Sequence, residues 1–397
     1  MIQPHGGTLV SRLIEGADAA SLLEAAQALP AIDLDSRETS DLEMIAIGAM
    51  SPLQGFMTHE MYEGVVEDMR LPELSHGVPA GAVWPLPVVL STKKGAAAPE
   101  IGSQAALRAP DGEILGVIDV SDVWQPDKKR ELLACYSGSG AEADEDHPAW
   151  QWLSSVGDSY VGGKVTVARL PRHTDFNDYR LTPYETRNEF AERGWSSIAA
   201  FQTRNPIHRA HEYLTKVALE QTDGLLIHPL VGDTKSDDIP SSVRMRCYQA
   251  LLAGYYPAER TMLTVYPQAM RYGGPREAVL HALCRQNYGC THIIIGRDHA
   301  GVGSYYGTFD AQEIFDGFGD SGLKIRTLRF EHSFFCRLTG GMATTKSSPA
   351  SPEDRVFLSG TKVREMLAAG ERPPEEFTRP EVADILIDSH AQSAEAD

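Results

Sequence analysis

The sequence predicts a multidomain α/β protein with a parallel sheet in its central part, and three observations carry that expectation. The chain has 397 residues, which is material for two or three domains of ordinary size. Apolar residues make up 42% and charged residues 23%, the balance of a folded globular chain rather than a disordered one. Between about residues 171 and 330, short apolar runs alternate with amphipathic stretches, the pattern of parallel strands joined by helical crossovers.

The first domain, residues 1–170, is rich in Pro and Gly and in short β-like runs at Val83–Leu90, Ala105–Arg108, Ile114–Val120 and Lys164–Leu170. One helical pattern, Ala19–Ala28, interrupts them, so this part reads as mostly β. The acidic stretch Gly138–Asp146 reads as a solvated loop. Gly157–Val165 faintly resembles a phosphate loop, but its glycine spacing is wrong and Val165 stands where a hydroxyl should hold magnesium.

In the second domain, residues 171–330, strands are expected at Ser197–Phe201, Leu225–Val231, Thr261–Tyr266, His292–Ile295 and Leu323–Phe330. Helices are expected at Pro206–Gln221, Ser241–Ala253 and Pro275–Gln286, with another starting at Ala311–Phe315. Ligands of such sheets bind beyond the carboxyl ends of the strands. Three polar loops fall there: Gln202–His211, Gly232–Pro240 and Gly296–Gly303. The last segment, residues 331–397, holds a Ser/Pro-rich loop at Ser347–Pro352. Leu358-Ser359-Gly360-Thr361 then leads into a helix over Lys362–Ala369, and a frayed tail follows His390.

Charge narrows the function. With 36 Lys and Arg against 55 Asp and Glu, the net charge of −19 argues against nucleic-acid partners, so an anionic ligand must meet a locally basic pocket. The amino-terminal stretch lacks a signal-peptide core, and no run approaches the ~18 apolar residues of a membrane span. Five cysteines without a close CxxC pair make a disulfide framework unexpected, which places the chain in the cytoplasm.

The strongest local signal is Gln202-Thr203-Arg204-Asn205-Pro206-Ile207-His208-Arg209-Ala210-His211. Asn205 suits a helix N-cap and Pro206 the first helical position, which puts His208 and His211 on one face of the first turn. Two imidazoles, Arg204 and the free N–H groups of a helix start then converge, a set that suits a polyphosphate. A histidine pair at this spacing is also compatible with zinc, but neither a Cys cluster nor an acidic third ligand stands nearby. The second signal is Gly296-Arg297-Asp298-His299-Ala300-Gly301, a buried strand breaking into a charged glycine loop. Ser359-Gly360-Thr361-Lys362-Val363-Arg364 and Tyr266–Glu277, with Arg271 and Arg276, are weaker; surface caps and solvated arginines are their ordinary roles.

Together with His228-Pro229-Leu230-Val231-Gly232, Tyr272-Gly273-Gly274-Pro275-Arg276-Glu277 and Leu358–Arg364, these motifs resemble those of the ATP sulfurylase (sulfate adenylyltransferase) family, single-chain type. The resemblance runs from Pro4-His5-Gly6-Gly7 to Arg379-Pro380-Glu381-Val382, almost the whole chain. It implies a PUA-like β-rich N-terminal domain, a Rossmann-like nucleotidylyltransferase domain and a small C-terminal α/β domain. It also implies a nucleotidyltransferase that turns ATP and sulfate into adenylyl sulfate and pyrophosphate, or the reverse, using Mg²⁺ with ATP, and acting as a homodimer or larger homo-oligomer. By the same resemblance Gln202, Arg204, Ala300 and the backbone around Ala269 bind sulfate, while Thr203 and Asn205 help place sulfate and the α-phosphate. His208 and His211 stabilise the phosphate chain, and Gly296, Arg297, Asp298 and His299 hold the nucleotide together with Gln202, Thr203, Arg204 and Asn205.

Two departures from the family pattern matter. In the stretch where many bacterial members carry a zinc knuckle, only Cys336 remains of four ligands, since Thr339, Ser348 and Ala350 replace the others; no structural zinc is expected. No Walker-type loop for an appended adenylyl-sulfate kinase is present, so a monofunctional enzyme is expected. The rival readings are another HxxH nucleotidylyltransferase, against which Gln202-Thr203-Arg204 argues, a nucleic-acid binder using the N-terminal domain, which the charge opposes, and a nucleotide binder without turnover.

Overall fold

The computed structural model of the chain describes residues 1–73, 80–138, 140–233, 239–319, 323–357 and 360–396. Its central sheet follows the alternation in the sequence: β1 (Ile198–Phe201), α1 (Arg209–Glu220), β2 (Gly224–Ile227), α2 (Ser241–Tyr255), β3 (Thr261–Leu263), α3 (Gly274–Asn287), β4 (His292–Ile295) and β5 (Arg326–Arg329). Every pairing is parallel and the spatial order is β3-β2-β1-β4-β5. Both faces are covered, and Ile198, Ala199, Ala200, Phe201 and Ile293, Ile294, Ile295 are buried, as the continuous apolar runs require. The chain moves one way from β1 to β3 and the other way from β4 to β5. The carboxyl ends of β1 and β4 therefore flank the crevice where such sheets take ligands.

The N-terminal part forms a six-stranded sheet around Gln104–Arg108, Ile114–Trp124 and Tyr160–Val167. Two expectations change here. Val83–Leu90 is not one strand: only Ala82–Val83 and Leu90–Ser91 pair, and Pro85 and Pro87 between them have no N–H to give a ladder. Among its described residues this part also carries five helices, Gly16–Ala26, Ser36–Ala46, His59–Asp68, Lys128–Tyr136 and Pro148–Ser155, rather than one. The Asp35–Glu38 capping box and the Thr58 and Asp127 caps mark the starts of three of them. Gly162 and Gly163 of the phosphate-loop-like stretch lie in the strand Tyr160–Val167, where a Cβ on Gly163 would clash with the Asp119 carbonyl.

One apolar core spans the two parts. Ile45, Trp84 and Val161 share it with Tyr266, Met270, Val279, Leu283 and Tyr288 of the parallel-sheet domain. Arg271 and Arg276, for which solvation was the ordinary alternative, are its struts: Arg271 is buried in an ion pair with Asp41 at 2.5 Å. Arg276 donates to the carbonyls of Val65 (3.0 Å), Pro85 (3.2 Å) and Val66 (3.2 Å). The β3–α3 loop is thereby locked from behind.

At the end of the chain, Phe334–Cys336, Gly341–Ala343 and Arg355–Val356 form a small antiparallel sheet. Two helices follow, Gly360–Ala368 and Pro380–Ala396. Val363, Leu367, Val382 and Leu386 join the core of Met245, Tyr248 and Leu251 from α2. The helix expected at Lys362–Ala369 is found. The helix that begins at Pro380 runs through Ala396, over the segment where fraying was expected after His390. Leu358 and Ser359 of the third motif, and residues 234–238 of the Gly232–Pro240 loop, lie outside the described residues.

Candidate active site

After β1 the chain turns tightly. Thr203 Oγ1 accepts from the Asn205 N–H at 3.0 Å and donates to the Asn205 carbonyl at 2.9 Å, and that carbonyl also accepts from the Tyr248 hydroxyl at 2.8 Å. With Asn205 committed to these bonds, the helix starts later than the sequence suggests. α1 begins at Arg209, and His208, not Asn205, occupies the N-cap with φ −91° and ψ 174°. His211 Nδ1 accepts from the His208 N–H at 3.4 Å, and the ring centroids stand 6.3 Å apart, so both imidazoles stay at the helix mouth. The ring of Phe377, a residue the sequence reading passed over, packs 4.7 Å from that of His208.

After β4 the backbone is strained. Asp298 (φ 51°) and Ala300 (φ 56°) lie in the left-handed region, as does Tyr272 (φ 59°) in the neighbouring β3–α3 loop. Hydrogen bonds hold them there: Asp298 N–H donates to the Thr308 carbonyl at 2.9 Å, and the Ala300 carbonyl accepts from Gly274 N–H at 3.0 Å. Arg297 is steadied by Asp298 (2.8 Å) and by Nδ1 of His332 (3.1 Å), another residue without a sequence signal.

Between these loops opens a cavity of about 370 Å³. Gln202, Thr203, Arg204, Asn205, His208 and His211 line one side, and Gly296, Arg297, Asp298, His299 and Ala300 the other. Ala269 is not among the lining residues: its N–H donates to Ser40 Oγ at 2.9 Å, and Met270 takes its place in the wall. The Arg204 guanidinium lies 5.0 Å from the centre of the Tyr272 ring and touches the Gly301 carbonyl at 3.4 Å. Arg204 Nη1, Gln202 Oε1 and His208 Nδ1 are buried atoms with no hydrogen-bond partner among the described residues. Buried polar groups are nearly always satisfied, and these three belong to residues that line one cavity. Arg204 Nη1 donates, and the Gln202 amide and the neutral His208 ring can each turn an N–H to the same cavity, so the set suits a ligand rich in hydrogen-bonding oxygens.

The electrostatics refine the sequence reading. Burial pushes His208 down to about 3, assisted by His211, and burial pushes His211 down to about 4. Both rings are neutral at pH 7, so they act as hydrogen-bonding groups while Arg204 and Arg297 supply the positive charge. The sign for stability follows. Above pH 6.5 both rings are neutral folded or unfolded, but below it the unfolded chain takes up protons that the folded chain refuses. Each ring is expected to cost on the order of 1 to 2 kcal/mol by pH 5. Glu38, pushed up by burial and by Asp35, works in the opposite direction over the same range, so the comparison must remove the histidines alone. The thermal midpoint of the wild type is expected to fall relative to a His208→Gln/His211→Gln variant as pH drops from 6.5 to 4.5. Parallel curves would show that the rings titrate normally.

Comparison with known proteins bears on this geometry. A family model described as ATP-sulfurylase matches residues 177–389, and one described as a PUA-like domain matches residues 2–170. The chain is 53% identical to a sulfate adenylyltransferase of Symbiobacterium thermophilum, over 98% of this chain and 96% of that protein. It is 52% identical to one from a Synechococcus species, again over 98% and 96%. A probable bifunctional SAT/APS kinase 2 of Sorangium cellulosum is 54% identical over 99% of this chain, which spans 66% of that longer protein. Among solved structures, the hexameric APS kinase from Thiobacillus denitrificans superposes with a TM-score of 0.75 at 28% identity, over 97% of this chain and 68% of that one.

Proposed function

The chain belongs to the ATP-sulfurylase family and interconverts ATP plus sulfate with adenylyl sulfate plus pyrophosphate, and we propose that the reaction takes place in the cavity between the β1 and β4 loops. The observation that supports this placement most is the convergence of unsatisfied polar atoms from Gln202, Arg204 and His208 at the switch point of the sheet.

In this reading Gln202 and Arg204 hold sulfate, with Ala300 against it, while Thr203 and Asn205 order the turn that places sulfate beside the α-phosphate. Gly296, Arg297, Asp298 and His299 hold the nucleotide. A sulfate oxygen attacks the α-phosphorus in line, one bond forming as the bond to the pyrophosphate oxygen breaks. Sulfate is already dianionic at neutral pH, so no base has to remove a proton. What the site supplies is position and relief of repulsion between two anions. His208 and His211 donate to the phosphate chain and to the departing pyrophosphate.

Asp298 and Glu331, both on the cavity wall, would meet the water shell of a Mg²⁺ ion brought with ATP, which would supply charge withdrawal from the phosphates. Pyrophosphate release measured with and without sulfate tests the reading: release should depend on sulfate, and equal release in its absence would contradict it.

A structural zinc does not fit the C-terminal sheet. Cys336 Sγ faces the Ser348 hydroxyl at 3.4 Å, and that hydroxyl also accepts from the Ala350 N–H at 3.2 Å, so hydrogen bonds tie the positions where thiolates and imidazole would be needed. Metal analysis of the purified protein is expected to find no stoichiometric zinc; one zinc per chain bound through Cys336 would refute this. A homo-oligomer in the cytoplasm is the assembly and compartment we propose. The hexameric relative supports the first, and the described residues hold no helix long and apolar enough to cross a membrane.

A further inference from the structure

Behind the cavity wall, α3 buries Glu277 and His281, four residues apart and fully shielded from solvent. Glu277 accepts from the N–H of Arg271 at 2.8 Å and from that of Gly273 at 3.0 Å, and its Oε1 lies 3.5 Å from His281 Nε2. The same ring nitrogen is 3.3 Å from the side-chain amide of Gln202, and His281 Nδ1 is 3.1 Å from His299 Nε2. One buried ring thus touches Gln202, from the loop after β1, and His299, from the loop after β4.

The proton positions follow from the carboxylate. Burial alone would raise Glu277, but hydrogen bonds from His281 and the two backbone N–H groups hold it below its ordinary value, so it is ionised and only accepts. His281 is pushed down, chiefly by burial, and carries a single proton, which belongs on Nε2 facing Glu277. Nδ1 is then an acceptor, and His299 must point an Nε2–H at it. An Nε2–H on His281 also selects the orientation of the Gln202 amide. A half-turn of the amide exchanges its oxygen and nitrogen: with the oxygen accepting from the ring, in the place of Nε2, the NH₂ takes the place of Oε1, the atom buried without a partner at the cavity.

We propose that Glu277 and His281 are a positioning pair for sulfate transfer, presenting the amide N–H groups of Gln202 to sulfate. The inference rests on the reading of Gln202 as a sulfate ligand. It means that the Gln202 amide is oriented for an anion by the fold itself.

His281→Asn and Glu277→Gln test it by separating the two substrates. Both variants should raise KM for sulfate by about tenfold to a hundredfold, as loss of such supporting contacts does at other preorganised sites. KM for ATP should change by less than about threefold. Equal changes in both constants would mark a merely structural role and overturn the proposal. Should either variant fail to fold, ¹⁵N NMR of the wild type decides the matter: His281 must show a protonated Nε2 and a bare Nδ1, and the opposite tautomer would refute the pair. Gln202→Ala separates the two levels of inference. If it leaves KM for sulfate unchanged, the placement of sulfate itself is wrong; if it raises KM for sulfate while His281→Asn does not, only the positioning pair fails.

Discussion

Arg204→Ala is expected to cut sulfate-dependent pyrophosphate release by about a thousandfold or more, with little loss of thermal stability. The Arg204 guanidinium is held by a ring face and one long hydrogen bond to the Gly301 carbonyl, while Nη1 is buried with no partner. A group so placed contributes little to folding; removing it relieves an unsatisfied donor and loses about 1 kcal/mol of contact with Tyr272. In the proposed reaction the same group faces a sulfate dianion and a phosphate whose charge rises in the transition state. Arg204→Lys is expected to recover only part of the activity, because an ammonium keeps the charge but not the planar fork. Near-normal turnover in Arg204→Ala, or its collapse together with thermal stability, would contradict the role.

His208→Ala and His211→Ala should each lower kcat by about a hundredfold, with nucleotide affinity changed only a few-fold. Neutral imidazoles bind a ground-state polyphosphate weakly, but their hydrogen bonds strengthen as charge accumulates on the departing pyrophosphate. The two variants should differ in stability. His211 Nδ1 accepts from the N-cap N–H of α1, so its loss also costs roughly 1 kcal/mol of helix stability. Titrating ATP by calorimetry beside steady-state kinetics separates the outcomes. A large loss of affinity with kcat preserved would place the histidines in ground-state binding instead.

Much of this site was legible because local chemistry and topology agree there. Strand–helix alternation placed Gln202–His211 and Gly296–Gly303 at strand ends, and the sheet order brings those two ends together. The exact helix start was not legible. Asn205-Pro206 has the right local form for a helix start, yet the hydroxyl of Tyr248, far along the chain, competes for the Asn205 carbonyl and delays the helix to Arg209. Arg271 and Arg276 looked solvated because their partners, Asp41 and the carbonyls of Val65, Val66 and Pro85, belong to the N-terminal part. Phe377 and His332 reach the cavity only through the docking of the last segment. For Glu277 and His281 the available signal was an acid and a base at i,i+4 on one helix face, a pattern too common on helices to single them out.

The most direct test of where sulfate and ATP meet is a crystal structure with adenylyl sulfate bound. The sulfuryl group should lie against Arg204 and the Gln202 amide, with the phosphate within reach of His208 and the adenosine along Gly296–His299. Density for adenylyl sulfate in any other cleft, with Arg204 Nη1 and His208 Nδ1 still unpartnered, would contradict the account.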